Sequence, residues 1–183
     1  MSRNEPSDRA CKGLKMLGPI ILRMAAAGFF LLAGGMVQGA DLSVLHANES
    51  PTRLAQGPEG SIYATDPKAG SVFIYDSSLT LTGELKNLNV PLGIAVGMDG
   101  TIFVGCQGTR SIQAYTATGD FIRTIGDGVL GKPSDIALDL YGNLYVADSP
   151  AHCVRIYNMN GGHLGDIGSF GTEPGEFNFP AAV

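Results

Sequence analysis

Three glycines set the chain in register with itself. Aligning Gly60, Gly100 and Gly142 superposes Ser61-Ile62-Tyr63-Ala64-Thr65-Asp66 on Thr101-Ile102-Phe103-Val104-Gly105-Cys106 and Asn143-Leu144-Tyr145-Val146-Ala147-Asp148. A tyrosine follows each glycine by fifteen residues, at Tyr75, Tyr115 and Tyr157. Prolines keep the same beat at Pro51, Pro91, Pro133 and Pro180, with intervals of 40, 42 and 47 residues. A period in the low forties made of short strand-like runs is a signature of β-propeller blades. Helical solenoids are excluded, because no repeat contains a run with the helical period of about 3.6 residues.

The third repeat shows the plan of a blade. Pro133 to Asp139 supplies a short strand, and Tyr141-Gly142-Asn143 turns the chain with residues that accept positive φ. Leu144 to Ala147 forms a second strand, and a loop at 148–152 follows, with Pro150 unable to continue a ladder. Cys153 to Tyr157 alternates with period two, and His163 to Gly168 is the outermost strand. The second repeat keeps this order in Leu92–Val96, Thr101–Val104, Ser111–Tyr115 and Phe121–Ile125. The first reads poorly at Thr52–Gln56 and recovers at Ser61–Ala64, Ser71–Tyr75 and Leu79–Leu85. The predicted fold is all-β, a partial propeller of four-stranded antiparallel blades at about 51–90, 91–132 and 133–179. A stub at 180–183 begins a fourth, so the array reads as interrupted, with open blade edges able to self-associate.

Residues 1–40 differ from the rest. Arg3, Arg9, Lys12, Lys15 and Arg23 precede an apolar run at 24–37, and Val37-Gln38-Gly39-Ala40 gives a small-residue exit. This is the pattern of a secretory signal peptide, cleaved better after Gly39 than after Ala40, which would put Gln38 where a small residue is wanted. The alternative is an uncleaved membrane anchor over Met16 to Ala40. Either way the propeller is expected to be exported to a periplasm, cell envelope or extracellular space, touching membrane only through this segment. Beyond it, residues 41–183 hold seven Lys/Arg against fifteen Asp/Glu, a net charge of −8. Phosphate backbones need the opposite sign, so nucleic acid is not the expected partner. Export permits a disulfide between Cys106 and Cys153, with two separate buried thiols as the other reading.

The run Tyr141-Gly142-Asn143-Leu144-Tyr145-Val146-Ala147-Asp148-Ser149 leads to Val154-Arg155-Ile156-Tyr157. It continues in Gly168-Ser169-Phe170-Gly171 and Gly175-Glu176-Phe177-Asn178-Phe179-Pro180, and the whole resembles an NHL repeat. The likeness spans Pro133–Pro180, extends through Pro91–Lys132 and is looser over Pro51–Val90. It implies a propeller, usually of about six blades. Pro91, Gly100, Pro133, Gly142, Asp66 and Asp148 then serve as structural repeat residues, the two aspartates each holding its own blade's loop. The second blade has Cys106 where the pattern has aspartate, and the third has Ala151 and Cys153 where asparagine and arginine are common. The loop after the second strand is therefore expected to be looser in those blades.

Some proteins of this family resemble metal-dependent amidating lyases, whose histidine ligands come from several blades. Here His46 adjoins the leader, His163 falls on an outer strand and only His152 occupies a loop, so no metal site is expected. Asp99, Asp120 and Asp127 sit beside glycines in turns, where a carboxylate caps backbone N–H groups. A calcium ring is not expected either, since Asp135 is matched by Gly93 and Ala182 at the corresponding inner-strand places. Ser134 and Ser149 have no histidine at a nucleophile's spacing. No catalytic residue and no cofactor emerge. The residues that break the repeat are Gln107, Thr109 and Arg110 in blade two and Pro150, Ala151 and His152 in blade three. They are the candidates for binding a protein or saccharide, because recognition favours loops on rigid scaffolds. The expected function is a non-enzymatic binding scaffold. The alternatives are part of an exported propeller lyase or hydrolase with its site in other blades, and a membrane-tethered sensor ectodomain.

Overall fold

A computed structural model describes residues 50–183, which lie in one compact unit. The proposed leader at 1–40, with Cys11, and His46 lie outside the described residues. Twelve strands form three separate four-stranded sheets, each a meander in which neighbours in sequence are antiparallel neighbours in space. Blade one holds β1 (Arg53–Gln56), β2 (Ile62–Asp66), β3 (Ser71–Tyr75) and β4 (Leu81–Leu85). Blade two holds β5 (Pro91–Val96), β6 (Ile102–Cys106), β7 (Ser111–Tyr115) and β8 (Phe121–Ile125). Blade three holds β9 (Pro133–Leu138), β10 (Leu144–Asp148), β11 (Cys153–Tyr157) and β12 (His163–Ile167).

The aligning glycines owe their recurrence to backbone conformation. Gly60, Gly100 and Gly142 take φ of 79°, 82° and 82°, the left-handed region that closes each first hairpin at no steric cost. The tyrosine beat marks a second device. The pairing of third and fourth strands shifts register at Ile74/Tyr75, Ala114/Tyr115 and Ile156/Tyr157. A bulge at the same place in every blade sharpens the twist of the sheet there.

Strand alternation builds the core between blades. In blade two, Ile94, Ile102, Val104 and Cys106 pack with Tyr63, Val72, Leu85 and Leu88 from the blade one side. The opposite set, Ala95, Phe103, Ile112 and Ala114, packs with Ile136, Leu144, Val146 and Tyr157 of blade three. Every residue of β6 is consequently buried, and Phe103 is among the largest side chains wholly out of water. Side-chain period two thus gives the middle blade two apolar faces.

One segment departs from the sequence reading. Thr52–Gln56 was weak as a strand, yet Arg53–Gln56 pairs along β2, anchored where Arg53 N–H donates to Thr65 Oγ1 at 3.1 Å. β1 is half-buried to exposed throughout, unlike the largely buried β5, so polar Arg53 and Gln56 are tolerated there. Residues 180–183 follow β12 without forming a strand, although the Pro180 carbonyl accepts from Ser134 Oγ at 3.2 Å.

Candidate functional site

The candidate binding residues occupy the connections from second to third strand in blades two and three. In blade two, Gln107 is exposed, and its N–H donates to Val90 O at 3.0 Å. Gly108 N–H donates to Asn89 O at 3.0 Å, and Arg110 N–H closes the turn on Gln107 O at 3.2 Å. Thr109 Oγ1 sits 2.8 Å from Ser111 Oγ. In blade three, Ser149–Ala151 form a short 3₁₀ turn with Pro150 exposed, and Ser149 N–H donates to Lys132 O at 3.3 Å.

These loops are not loose, contrary to the expectation from Cys106 and Cys153. The Cys106 side chain is wholly buried and accepts a hydrogen bond from the Asn89 backbone, so the thiol does part of the repeat aspartate's work. Burial pushes that thiol up to about 11. Cys153 is also buried and its pKa also raised by burial; both cysteines are free thiols on different blades, and no disulfide joins them.

The two repeat aspartates play different parts. Asp66 does accept from Lys68 N–H and Ala69 N–H, at 2.8 and 2.9 Å, and also from Ser50 N–H. Asp148 does not hold its own loop. Its carboxylate, fully buried, accepts from Gly131 N–H at 3.0 Å and Lys132 N–H at 2.9 Å, just ahead of β9. Arg155 Nε completes the cluster at 3.0 Å. The carboxylate therefore ties the second strand to the start of its own inner strand, a separation of 16 or 17 residues that blade curvature closes.

Arg110 and His152 are tethers as much as recognition groups. Both take left-handed φ, 54° and 55°, at the place where blade one has Gly70 with φ 66°. Each of the three positions holds the crossing to the next blade by a different chemistry. Gly70 O accepts Leu88 N–H at 2.9 Å, while Arg110 Nε donates to Leu130 O at 3.0 Å. His152 Nδ1 accepts Phe179 N–H at 3.2 Å, so that nitrogen carries a lone pair. Its ring lies against Phe170 and Phe179, with centroids 4.7 and 4.3 Å away. Arg110 and Pro150 stand on either side of the 130–132 crossing: the first bonds Leu130, and a Cβ on Gly131 would lie 3.3 Å from Pro150. The structure thus sets Arg110 and Pro150 beside the 130–132 crossing, holds Gln107 on the preceding crossing through Val90, and draws His152 away to the residues after β12.

Two features were missed by sequence reasoning. Arg53 of β1 and Asp135 of β9 form an ion pair, Nε to Oδ1 3.4 Å, across the inner strands. Burial raises the Asp135 pKa above its ordinary value, opposed by Val183 N–H and Arg53. A cleft of about 390 Å³ lies between the hairpins of blades one and two, lined among others by Glu59, Tyr63, Asp76, Met98 and Asp99. Its aspartates are engaged locally: Asp76 caps Ser78 and Thr80 N–H, and Asp99 accepts from Thr101 N–H and Oγ1. Those Thr101 bonds lower the Asp99 pKa. His163 lies on outer strand β12, its Nε2 2.8 Å from Asp166 Oδ1. Among the described residues, no group of three or more His, Cys, Asp and Glu is placed to hold a metal.

No family model matches the chain, and no curated protein does. Solved structures do. The chain is similar to hydrazine synthase of Kuenenia stuttgartiensis, with TM-score 0.62 and 19% identity over 81% of this chain and 42% of that one. A streptogramin B lyase structure gives TM-score 0.60 and 18% identity over 75% and 46%. Virginiamycin B lyase of Staphylococcus aureus gives 0.56 and 16% over 67% and 42%. The chain spans less than half the length of each. At such identities the likeness concerns the fold: the three sheets are blades of a partial propeller.

Proposed function

We propose that the chain is part of an exported NHL-type propeller that binds a protein or saccharide through the loops at one end of its blades, without chemistry of its own. The observation that carries this reading is that Gln107, Arg110 and Pro150 are exposed on turns fixed by backbone and side-chain hydrogen bonds. Binding groups held on a rigid frame lose little entropy on association. The carboxylates that would otherwise suggest catalysis are engaged in capping N–H groups, as at Asp66, Asp99 and Asp148.

A propeller enzyme with its ligands in further blades is the rival, and the lyase and synthase names among the similar structures keep it in view. Screening purified protein on peptide and glycan arrays and repeating the strongest interaction with Gln107→Ala and Pro150→Ala separates them. Loop variants that keep their melting temperature should weaken binding about tenfold together, as truncation of exposed anchors does. Unchanged binding by both, or stoichiometric zinc or calcium in the purified protein, overturns the scaffold reading. The mass of the exported protein checks the leader: a start near Ala40 or Asp41 excludes a tether.

A further inference from the structure

We propose that the edge shared by the inner strands of blades one and three is a clamp for the main chain of an extended peptide, filled within this chain by residues 180–183. Three side chains converge there. Arg53 Nη2 donates to the carbonyl of Ala181. Asp135 Oδ2 accepts Val183 N–H at 3.2 Å. Ser134 Oγ, which also reaches Ala147 O, lies 3.2 Å from the Pro180 carbonyl. Arg53 and Asp135 hold each other at 3.4 Å, and their side chains are 34% and 16% exposed, so the pair is partly withdrawn from water.

The chemistry of these contacts defines the ligand class. Every one falls on a backbone C=O or N–H, and none reads a side chain; Ala181, Ala182 and Val183 are exposed. In an extended chain the carbonyl of one residue and the N–H of the second residue on share an edge. A guanidinium donor beside a carboxylate acceptor matches that edge. Recognition through main-chain bonds with charge-assisted partners is a recurring mode of peptide capture.

Gly93 lets the inner strands approach closely. It occupies the matching place in β5, between Arg53 and Asp135, and a Cβ there would come within 2.8 Å of Asp135 Cα. The missing side chain lets the first and third inner strands reach the same segment. This site is separate from the Gln107 turn and stands whether or not those loops bind anything.

A segment tethered in cis competes at an effective concentration of about millimolar, so a peptide in trans should bind the intact chain weakly. Val183→Pro removes the N–H that Asp135 accepts and leaves the blades untouched. The probe is a fluorophore-labelled, acetylated and amide-capped Pro-Ala-Ala-Val-Gly peptide, followed by anisotropy. Full chain carrying Val183→Pro should bind it at least tenfold more tightly than the unaltered chain. Adding Arg53→Met or Asp135→Ala to that variant should abolish the gain, while adding Gln107→Ala should leave it unchanged. Far-UV circular dichroism confirms folding, and two separate clamp variants guard against one failing to fold. Equal binding by the unaltered and Val183→Pro chains, no binding by either, or full binding without Arg53 and Asp135 would overturn the clamp. Loss of binding with Gln107→Ala would also overturn it, by placing the peptide on the loops.

Discussion

Replacing Asp148 by alanine should be among the most damaging single changes in blade three. The carboxylate is fully buried and serves two backbone N–H groups, of Gly131 and Lys132, together with Arg155 Nε at 3.0 Å. Alanine leaves both N–H groups and a cation, whose side chain is only 18% exposed, without this partner. Breaking a buried ion pair from one side costs about 3–5 kcal/mol. That is about a fifth or more of the roughly 5–15 kcal/mol that holds a typical domain together. Asp148→Asn keeps one acceptor oxygen and should lose less. Arg155 supplies the internal control, because Arg155→Met removes the cation that Asp148→Ala leaves with only Asp166 Oδ2, 3.4 Å away, as its carboxylate partner. The double variant should therefore be more stable than the sum of the single losses requires, by about 1–3 kcal/mol. Urea titration followed by far-UV circular dichroism reads all five proteins. A loss below about 1 kcal/mol for Asp148→Ala, or strict additivity with Arg155→Met, would refute the strap between second and inner strands.

Gly93→Ala tests the packing of inner strands. Its Cβ would press on the Asp135 backbone at 2.8–3.1 Å, so the urea midpoint should fall by the equivalent of about 1–3 kcal/mol. Gly128→Ala is the control, with nothing within 4 Å of its Cβ and only a φ of 67° to strain it; equal losses would dismiss the crowding. Cys106 gives a pH dependence. Burial raises its thiol from 9.0 to about 11, so its contribution to stability is complete below pH 9 and is lost as pH climbs through 11. Cys106→Ala should flatten the fall in melting temperature between pH 9 and 11, and an unchanged profile would count against a buried thiol there. In the same native protein, neither Cys106 nor Cys153 should react quickly with a thiol reagent until denaturant is added.

The strands of blades two and three could be read almost residue by residue. Ser111–Tyr115 and Phe121–Ile125 match β7 and β8, and Cys153–Tyr157 matches β11. Alternation and turn glycines are local signals, and the periodic repeat supplies three copies of each. The reading was weakest at β1, which is half-buried to exposed, packs only Ala55 on the core and carries no apolar alternation. The candidate site was legible only in part. Breaking the repeat correctly marked Gln107, Arg110 and Pro150 as loop residues, but gave no hint that Arg110 is bonded to Leu130 or that His152 is enclosed by two phenylalanines.

By itself the sequence determined the blade: four short antiparallel strands, left-handed glycines at the hairpins and period-two faces, all set by interactions between residues a few positions apart. The tertiary structure decided the rest. Asp148 reaches back to Gly131 because the antiparallel pairing of β10 with β9 returns it to the start of its blade, whereas Arg53 meets Asp135, and Arg53 meets Ala181 across 128 residues, because neighbouring sheets stack. A repeat fixes what each blade is, whereas the partners of its aspartates and arginines depend on the angle at which the next blade arrives.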